Sequence, residues 1–481
     1  MPQPSRRNVL FLVIDDLRPQ LGCYGCGAVS SPRIDRLAAE GMVFEQAYCQ
    51  QAVCAPSRSS VLSGCRPDTT GIYDLQTPLR QAMPGVLSLP EHFRRQGYET
   101  VSIGKVYHHP KDDLQGWSRE PFQSQGDWQG RGYLTDEAIE EMKRHGEILR
   151  LRGDRRVGLG PAYEAADVPD NAYHDGADAD AAVGAMGDLA EAYRTHGQPF
   201  FLAVGFHKPH LPFNAPKHYW DLYDRSSIRL ANNPFAPDGA TEYSLVDFGE
   251  LRGYFGLPAA GPVPDDLART LIHGYLACVS YVDAQVGRVL DALREQGLDD
   301  HTAVMLWGDH GWKLGEHGSW CKHSNFEIDA RAPLVVRSPG MGAAGGRSEA
   351  LVEFVDMYPT LCELCGLAVP DHCEGTSFAA LLNEPGRRWK SAAFNQYPRP
   401  GVMGYSLRTA RYRYIEWRDA GSGAVRAREL YDHQTDPAEN VNLAARDEQR
   451  PTMDRLAAQL VDGWQAARPV RSRMPEERGS V

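Results

Sequence analysis

The sequence predicts an α/β protein, with a large, mostly parallel sheet flanked by helices on both faces and a smaller C-terminal α+β part. Three observations carry this. Continuous apolar runs at 9–14, 199–206 and 302–307 suit strands covered on both faces. Helical patterns separate them, the longest over 266–296, and such alternation builds parallel sheets. Near Asn395-Gln396-Tyr397-Pro398-Arg399-Pro400 the pattern changes to short alternating runs. We therefore divide the chain into a main domain, 1–394, and a C-terminal subdomain, 395–481, with a small antiparallel sheet and a terminal helix.

In order, 9–14 is the first core strand and stops at Asp15-Asp16. Ser31 caps a helix over 32–39, with Pro32 in its first turn, where a missing N–H costs nothing. Another helix begins beside Cys54-Ala55-Pro56-Ser57-Arg58. Pro56 has its φ pre-set for a first turn, and the unpaired N–H groups there suit an anion. A short helix at 91–96 precedes a strand at 98–103 that runs into Gly104-Lys105-Val106-Tyr107-His108. Residues 110–180 are polar and loop-rich, and read as an insertion over one face. The strand at 199–206 ends at His207-Lys208-Pro209-His210. In 266–296, Leu267, Leu271, Tyr275, Val279, Val282, Val286, Val289 and Leu293 recur at helical steps until Gly297 ends the helix. The strand at 302–307 ends at Asp309-His310, and 334–336 is a further short strand. After Pro400, 405–409 and 412–417 alternate as β-strands, 453–464 is an amphipathic helix, and 468–481 is a basic tail.

Composition narrows the function. The chain has 481 residues, 42% hydrophobic and 24% charged, with net charge −12. That is an ordinary globular make-up and not a nucleic-acid surface. No apolar run approaches a membrane span. The first apolar run is too short, and too soon checked by Asp15-Asp16, to be a signal peptide, so a cytoplasmic protein is expected. Ten cysteines include the C-x-x-C pairs Cys23/Cys26 and Cys362/Cys365. No histidine frame accompanies either pair, which favours free or buried thiols over zinc.

Doubly wound sheets bind ligands at the carboxyl ends of their strands. Four polar clusters stand there: Asp15-Asp16, Lys105 with His108, His207 with His210, and Asp309-His310. Adjacent carboxylates after a buried strand are costly unless a cation shares them, and hard oxygen ligands suit Ca²⁺ or Mg²⁺. Each cluster alone could be a cap, a polar loop or a surface group. Cys54 alone could be a structural thiol. All four clusters at strand ends together point to one site.

The stretch from Cys54 to Arg58, followed by Leu62-Ser63-Gly64, resembles the signature of the type I sulfatases, with C-x-P-x-R spacing. The resemblance extends along most of the chain and is nearest to the iduronate 2-sulfatase branch. It is carried by Asp15-Asp16-Leu17-Arg18-Pro19, Gly104-Lys105-Val106-Tyr107-His108, His207-Lys208-Pro209-His210, Asp309-His310-Gly311-Trp312, Leu314-Gly315-Glu316-His317-Gly318 and Lys322. It implies an alkaline phosphatase-like fold and hydrolysis of sulfate esters, with a 2-O-sulfated uronate or related sulfated oligosaccharide as substrate. It also implies that a formylglycine-generating maturation enzyme converts Cys54 to formylglycine.

In the family's pattern Asp15, Asp16, Asp309, His310 and the modified Cys54 hold one divalent metal, usually calcium, with magnesium left open by the imidazole. The aldehyde hydrate attacks sulfur while Arg58, Lys105 and Lys322 surround the sulfate. His210, with Lys322, protonates the leaving oxygen, and His108 takes the proton that frees sulfate. His207, Trp312 and His317 are further candidates to meet the sugar. The loops after Pro110 and the short segment before Tyr405 depart from the branch. The competing expectation is a phosphonate monoester or phosphodiester hydrolase of the alkaline phosphatase superfamily, and a silent glycan-binding relative is a third.

Overall fold

The computed structural model describes residues 6–109, 111–124, 132–154 and 158–469; most of the expected basic tail, 470–481, lies outside the described residues. At its centre is a seven-stranded sheet. Its strands are β1 (Asn8–Ile14), β2 (Met42–Tyr48), β3 (Glu99–Gly104), β4 (Phe200–Phe206), β5 (Thr302–Gly308), β6 (Leu334–Arg337) and β7 (Gly346–Glu353). The spatial order is β7-β2-β6-β5-β1-β4-β3. The β6 strand is antiparallel to both neighbours, and the other pairings are parallel.

The helices that matter here are α1 (Pro32–Glu40), α2 (Cys54–Ser63), α3 (Leu89–Arg95), α4 (Asp136–Leu151), α5 (His174–His196), α6 (Gly249–Arg252), α7 (Asp265–Glu295), α8 (Met357–Leu364) and α9 (Arg450–Ala467). Every residue of β1 is buried. Leu10, Leu12 and Ile14 enter one core, and Val9, Phe11 and Val13 the other, because successive side chains of a strand face opposite ways. Leu37 of α1, Met186 of α5 and Val282 of α7 close the first core. Leu62 of α2, Phe93 of α3 and Leu361 of α8 close the second. The sheet is therefore sandwiched between helices, as an alkaline phosphatase-like fold requires. Among the described residues, no helix is long and apolar enough to cross a membrane.

The register sets up the functional end. Ile14 lies level with Phe206 and Gly308, and Gly104 with Gly205. The ladder continues one residue further through Asp15 N–H to Phe206 O, Asp309 N–H to Ile14 O and Lys105 N–H to Gly205 O, at 3.1, 3.2 and 2.8 Å. The four polar clusters thus emerge side by side from β3, β4, β1 and β5.

Some elements differ from the sequence reading. The long helix matches its expected span to within a residue at each end. The supposed loop-rich stretch instead contains α4 and the start of α5. Ser31 precedes α1 without capping it through its side chain; its Oγ accepts from Gly22 N–H at 2.9 Å and donates to Asp35. The strands β2 and β7 were not expected.

The C-terminal sheet is a meander of β8 (Ala393–Arg399), β9 (Val402–Arg408), β10 (Tyr412–Asp419) and β11 (Val425–Asp432), with α9 packed on one face through Leu456 against Leu407, Tyr414 and Leu430. On its other face the buried Arg413 donates to Glu439 and Glu327, each at 2.6 Å, and to Asn395 and Ser406. Burial alone would raise the Glu439 carboxyl, but Arg413 and His433 override it and hold it at about 2. Glu353, buried against Arg66 and Lys390, is likewise held at about 2.

Both pKa values are depressed from the ordinary 4.5, so their stabilisation is complete above pH 4.5 and is lost as pH falls towards 2. Urea midpoints measured from pH 6 to 2.5 should fall through this window. The Glu439→Gln variant should be less stable at pH 6 and show a shallower fall. Parallel curves for the two proteins would show that Glu439 carries none of it.

Candidate active site

Helix α2 starts at Cys54, directly after Val53 in extended conformation, and all ten of its residues are buried. Cys54 and Arg58 are one helical turn apart and so share a face. Arg58 is fully buried, and its guanidinium is engaged on every nitrogen. Nε donates to Asp309 Oδ2 at 2.9 Å, Nη2 to Asp15 Oδ1 at 2.9 Å, and Nη1 to the carbonyls of Lys105 and Val106. In this structure Arg58 therefore ties three strand ends to the helix that carries Cys54, which is a different task from the sulfate contact implied by the resemblance. Ser57 adds a bond from its hydroxyl to Asp309 O at 2.5 Å.

Asp16 has φ 58, a left-handed conformation, and is fixed by its N–H to Asp309 Oδ1 at 2.9 Å and by Tyr275 OH donating to its carbonyl at 2.9 Å. His310 Nε2 lies 3.4 Å from Asp16 Oδ1, 3.6 Å from Asp309 Oδ1 and 3.4 Å from Cys54 Sγ. Its Nδ1 faces Gly311 O at 3.0 Å. Asp15, Asp16, Cys54 and His210 offer ligand atoms all within 4.8 Å of one another, as do Cys54, Asp309 and His310. Three carboxylates, an imidazole and the group at position 54 form a donor set that fits a hard divalent ion.

The charge balance agrees. Burial alone would raise Asp15, but Lys105 and Arg58 override it and hold its pKa well below the usual range. Asp16 is less well compensated. Burial pushes it up to about 7 against the opposing pull of Lys322, with Asp15 adding to the rise. A cation among these carboxylates would supply the missing positive charge. The Cys54 thiol is pushed well above its ordinary value by burial and by Asp15, so as a plain cysteine it is a poor thiolate nucleophile.

Lys105 Nζ pairs with Asp15. Lys322 Nζ donates to both oxygens of Asp16 at 3.1 Å and stands 4.8 Å over the ring of Trp312. Trp312 is buried in the first core, so it supports Lys322 from beneath. His210 donates Nδ1–H to Leu211 O at 2.6 Å, leaving Nε2 facing Glu250 Oε1 at 3.1 Å. Burial and Lys322 lower its pKa. His108 has a buried, unpartnered Nδ1 and a pKa lowered to about 3 by burial and Lys105, so it is neutral. Lys105, His108, His174, His207, Lys208 and His210 line a cavity of about 300 Å³ beside these groups. His317 is not among them; it lines a separate cavity.

Three contributors had no sequence signal. Glu250, on the single turn α6, bonds Lys322 at 3.1 Å, His210 at 3.1 Å and His323 at 3.3 Å. Asp175, at the start of α5, accepts the N–H groups of His207 and Lys208 at 2.8 Å each and so fixes that loop. Tyr275 was read only as a core position of the long helix.

Comparison with known proteins agrees with this geometry. The sulfatase family profile matches residues 7–367, and the profile for the C-terminal part of N-sulphoglucosamine sulphohydrolase matches 315–466. Iduronate 2-sulfatase of Mus musculus is 35% identical over 515 residues, covering 91% of this chain and 90% of its own length. A sulfatase of Formosa agariphila is 31% identical over 452 residues, covering 92% and 83%. Among solved structures, a phosphonate monoester hydrolase from Silicibacter pomeroyi superposes with TM-score 0.74 at 23% identity, covering 96% of each chain.

If these side chains hold a divalent ion, a chelator should lower the melting temperature and Ca²⁺ or Mg²⁺ should restore it. At about 100 times Kd the ion contributes about 2.7 kcal/mol. Asp309→Asn should abolish the ion-dependent shift. An equal shift in the variant would place the ion elsewhere.

Proposed function

The chain belongs to the sulfatase family and is a sulfuric ester hydrolase, and from this premise we propose that it removes 2-O-sulfate from uronate residues of sulfated glycans, using a formylglycine made from Cys54 and one divalent metal ion. The observation that carries the reading is the placement of position 54 at the first turn of α2, against Asp16, Asp309 and His310, with Arg58 fixing the arrangement. The aldehyde, once hydrated, supplies the oxygen nucleophile that a buried thiol does not. The bound ion, calcium by its oxygen-rich donor set or else magnesium, supplies charge compensation for the sulfate.

The chain's own residues do the rest. Lys105, paired with Asp15, and Lys322, paired with Asp16, both act on position 54 and balance the negative charge that grows on the sulfuryl oxygens. The His210 Nδ1–H is committed to a carbonyl, so Nε2 is the atom that delivers a proton to the departing sugar oxygen. Glu250 faces the same Nε2 and opposes the effects of burial and Lys322, which favours the imidazolium that can donate. His108, neutral with Nδ1 unpartnered, accepts a proton when sulfate is released. The imidazole- and lysine-rich cavity of about 300 Å³ suits a sugar ring bearing a carboxylate. The 35% identity to an iduronate 2-sulfatase supports the same substrate class.

A panel of 2-O-sulfated uronate disaccharides, other sulfated sugars and a phosphonate monoester tests this, with mass spectrometry of the Cys54 peptide alongside. We expect the 2-O-sulfated uronates to have the highest kcat/KM, and Cys54→Ala to lose about 10³-fold or more. Faster turnover of the phosphonate, or an unmodified thiol in fully active enzyme, would overturn the reading.

Glu250→Gln keeps the shape of the side chain but removes the charge that gathers Lys322, His210 and His323. It should lower kcat by about 10–100-fold, the usual loss when a supporting partner of an active-site ligand is removed. KM should change less. Full activity with unchanged pH dependence would exclude a supporting role.

A further inference from the structure

Outside the ligand set around position 54, the structure gathers a second group of metal-ligating side chains. Asp175 and Asp178, close together at the start of α5, and His207, just past the end of β4, offer ligand atoms all within 4.8 Å of one another. The two carboxylates are 1% and 0% exposed. Asp175 accepts the backbone N–H groups of His207 and Lys208 at 2.8 Å each. Asp178 Oδ1 accepts the Ser124 N–H at 2.7 Å, whereas Asp178 Oδ2 and His207 Nδ1 are buried without a hydrogen-bond partner.

Buried charges are paired or coordinate metals. Here the neighbouring cations are committed elsewhere. Lys208 Nζ donates to the carbonyls of His210 and Pro212 at 3.0 and 2.6 Å, and Arg288 of α7 pairs with Asp180. Among the described residues, neither Asp175 nor Asp178 forms an ion pair with a lysine or arginine; both face the His207 imidazole. Burial lifts the Asp178 carboxyl to about 6, against the pull of the Ser124 N–H and of His207. A cation would relieve that cost.

The distances suit one ion. Metal bonds of about 2.0–2.2 Å to oxygen and nitrogen place neighbouring ligand atoms about 3–4 Å apart. His207 Nδ1 and Asp175 Oδ1 are 3.6 Å apart, too far for a hydrogen bond and right for two ligands of one ion. Because the free atoms are buried, an organic ligand does not reach them, but an ion seated between the three side chains needs no wider opening. Two carboxylates and an imidazole suit Mn²⁺ or Zn²⁺ better than Ca²⁺. We propose that Asp175, Asp178 and His207 bind a second divalent ion, separate from the one held around position 54. Asp175 and His207 line the cavity of about 300 Å³, and the His207 side chain keeps 33% of its surface exposed, so the ion enters from that side. Bound there, it fixes the His207 ring on the cavity wall.

Binding is measured without turnover, so this site is tested apart from the hydrolytic reading. Mn²⁺ is the probe, because it takes carboxylate and imidazole ligands in preference to thiols and EPR counts its free form. Wild type should bind two Mn²⁺ ions and Asp309→Asn one. Adding Asp178→Asn to Asp309→Asn should weaken the remaining ion tenfold or more, and so should adding His207→Ala. Asparagine at 178 keeps an acceptor for the Ser124 N–H, and melting curves confirm each fold. His207 is partly exposed, so its variant decides the matter if Asp178→Asn does not fold. One ion that survives Asp309→Asn and is lost with Asp178→Asn would support the second site even though the first had failed. One ion that Asp309→Asn abolishes would overturn the second site and leave the reading of position 54 intact. Equal Mn²⁺ binding with and without Asp178→Asn and His207→Ala would also overturn it.

Discussion

The functional end of this molecule depends on one buried guanidinium. Arg58 bridges Asp15 after β1 and Asp309 after β5, and reaches the backbone that follows β3. A fork with five donors in a plane can do this; a lysine could not. Removing it would leave two buried carboxylates facing each other, the situation in which breaking an ion pair is most costly. Because Arg58 is one turn along α2 from Cys54, fixing the guanidinium also fixes where position 54 sits relative to both carboxylates. The spacing of the C-x-P-x-R stretch thus has a purely geometric reason in the folded chain, in addition to any role in maturation.

A second brace comes from the C-terminal sheet. Lys322 lies between Cys321 and His323, both in left-handed backbone conformations at φ 67 and 91. Such a segment persists only when its surroundings determine it. Tyr397 OH meets His323 Nδ1 at 2.7 Å, and Arg399 Nη2 donates to His323 O at 2.5 Å, so β8 clamps the loop that presents Lys322. Asn325 and Asn395 bond across the same junction at 2.9 Å. The Gln396-Tyr397-Pro398-Arg399 block, which looked in sequence like a domain boundary, is also part of the support for a residue at the site.

How much of this could be read from the chain follows from where each signal resides. β1, β4 and β5 are buried on both faces, so their apolar runs are unbroken and the polar residues that end them stand out. β2 carries half-buried Glu45 and Gln46, and β7, at the sheet edge, has exposed Arg347 and Glu349 in its first half and only Leu351-Val352 as a buried apolar pair; neither makes a continuous run. α5 packs largely through Asp175, Gly176, Asp178 and alanines, which leaves little hydrophobic stripe to detect. Glu250 was invisible for another reason. Its partners, His210, Lys322 and His323, lie far from it in sequence, and a carboxylate acquires such a role only by tertiary placement. His317 stood in a motif near the metal-type ligands, yet its ring turns to Phe326 and Ala438, away from position 54. Proximity in sequence placed it in the right loop but not on the right side.

The charges around position 54 divide into two layers. In the first, Arg58 and Lys105 stand against Asp15 and Asp309, a compact and nearly balanced set with little room to move. In the second, Lys322 is shared between Asp16 and Glu250, and Glu250 is shared in turn with His210 and His323. Arg58, Asp15 and Asp309 are entirely buried and Lys105 keeps 11% of its side chain exposed, whereas the Glu250 side chain keeps 23%. A reaction that brings in an anion and releases another needs a rigid frame for the nucleophile and an adjustable one for the proton donor. The inner layer can serve as the first, because its groups are paired by charge and three of them, Asp15, Lys105 and Asp309, are also held by the strand ladder, while Arg58 is held by helix α2. The outer layer can serve as the second. Lys322 and His210 share one carboxylate, so a change in the charge facing either is felt by both through Glu250.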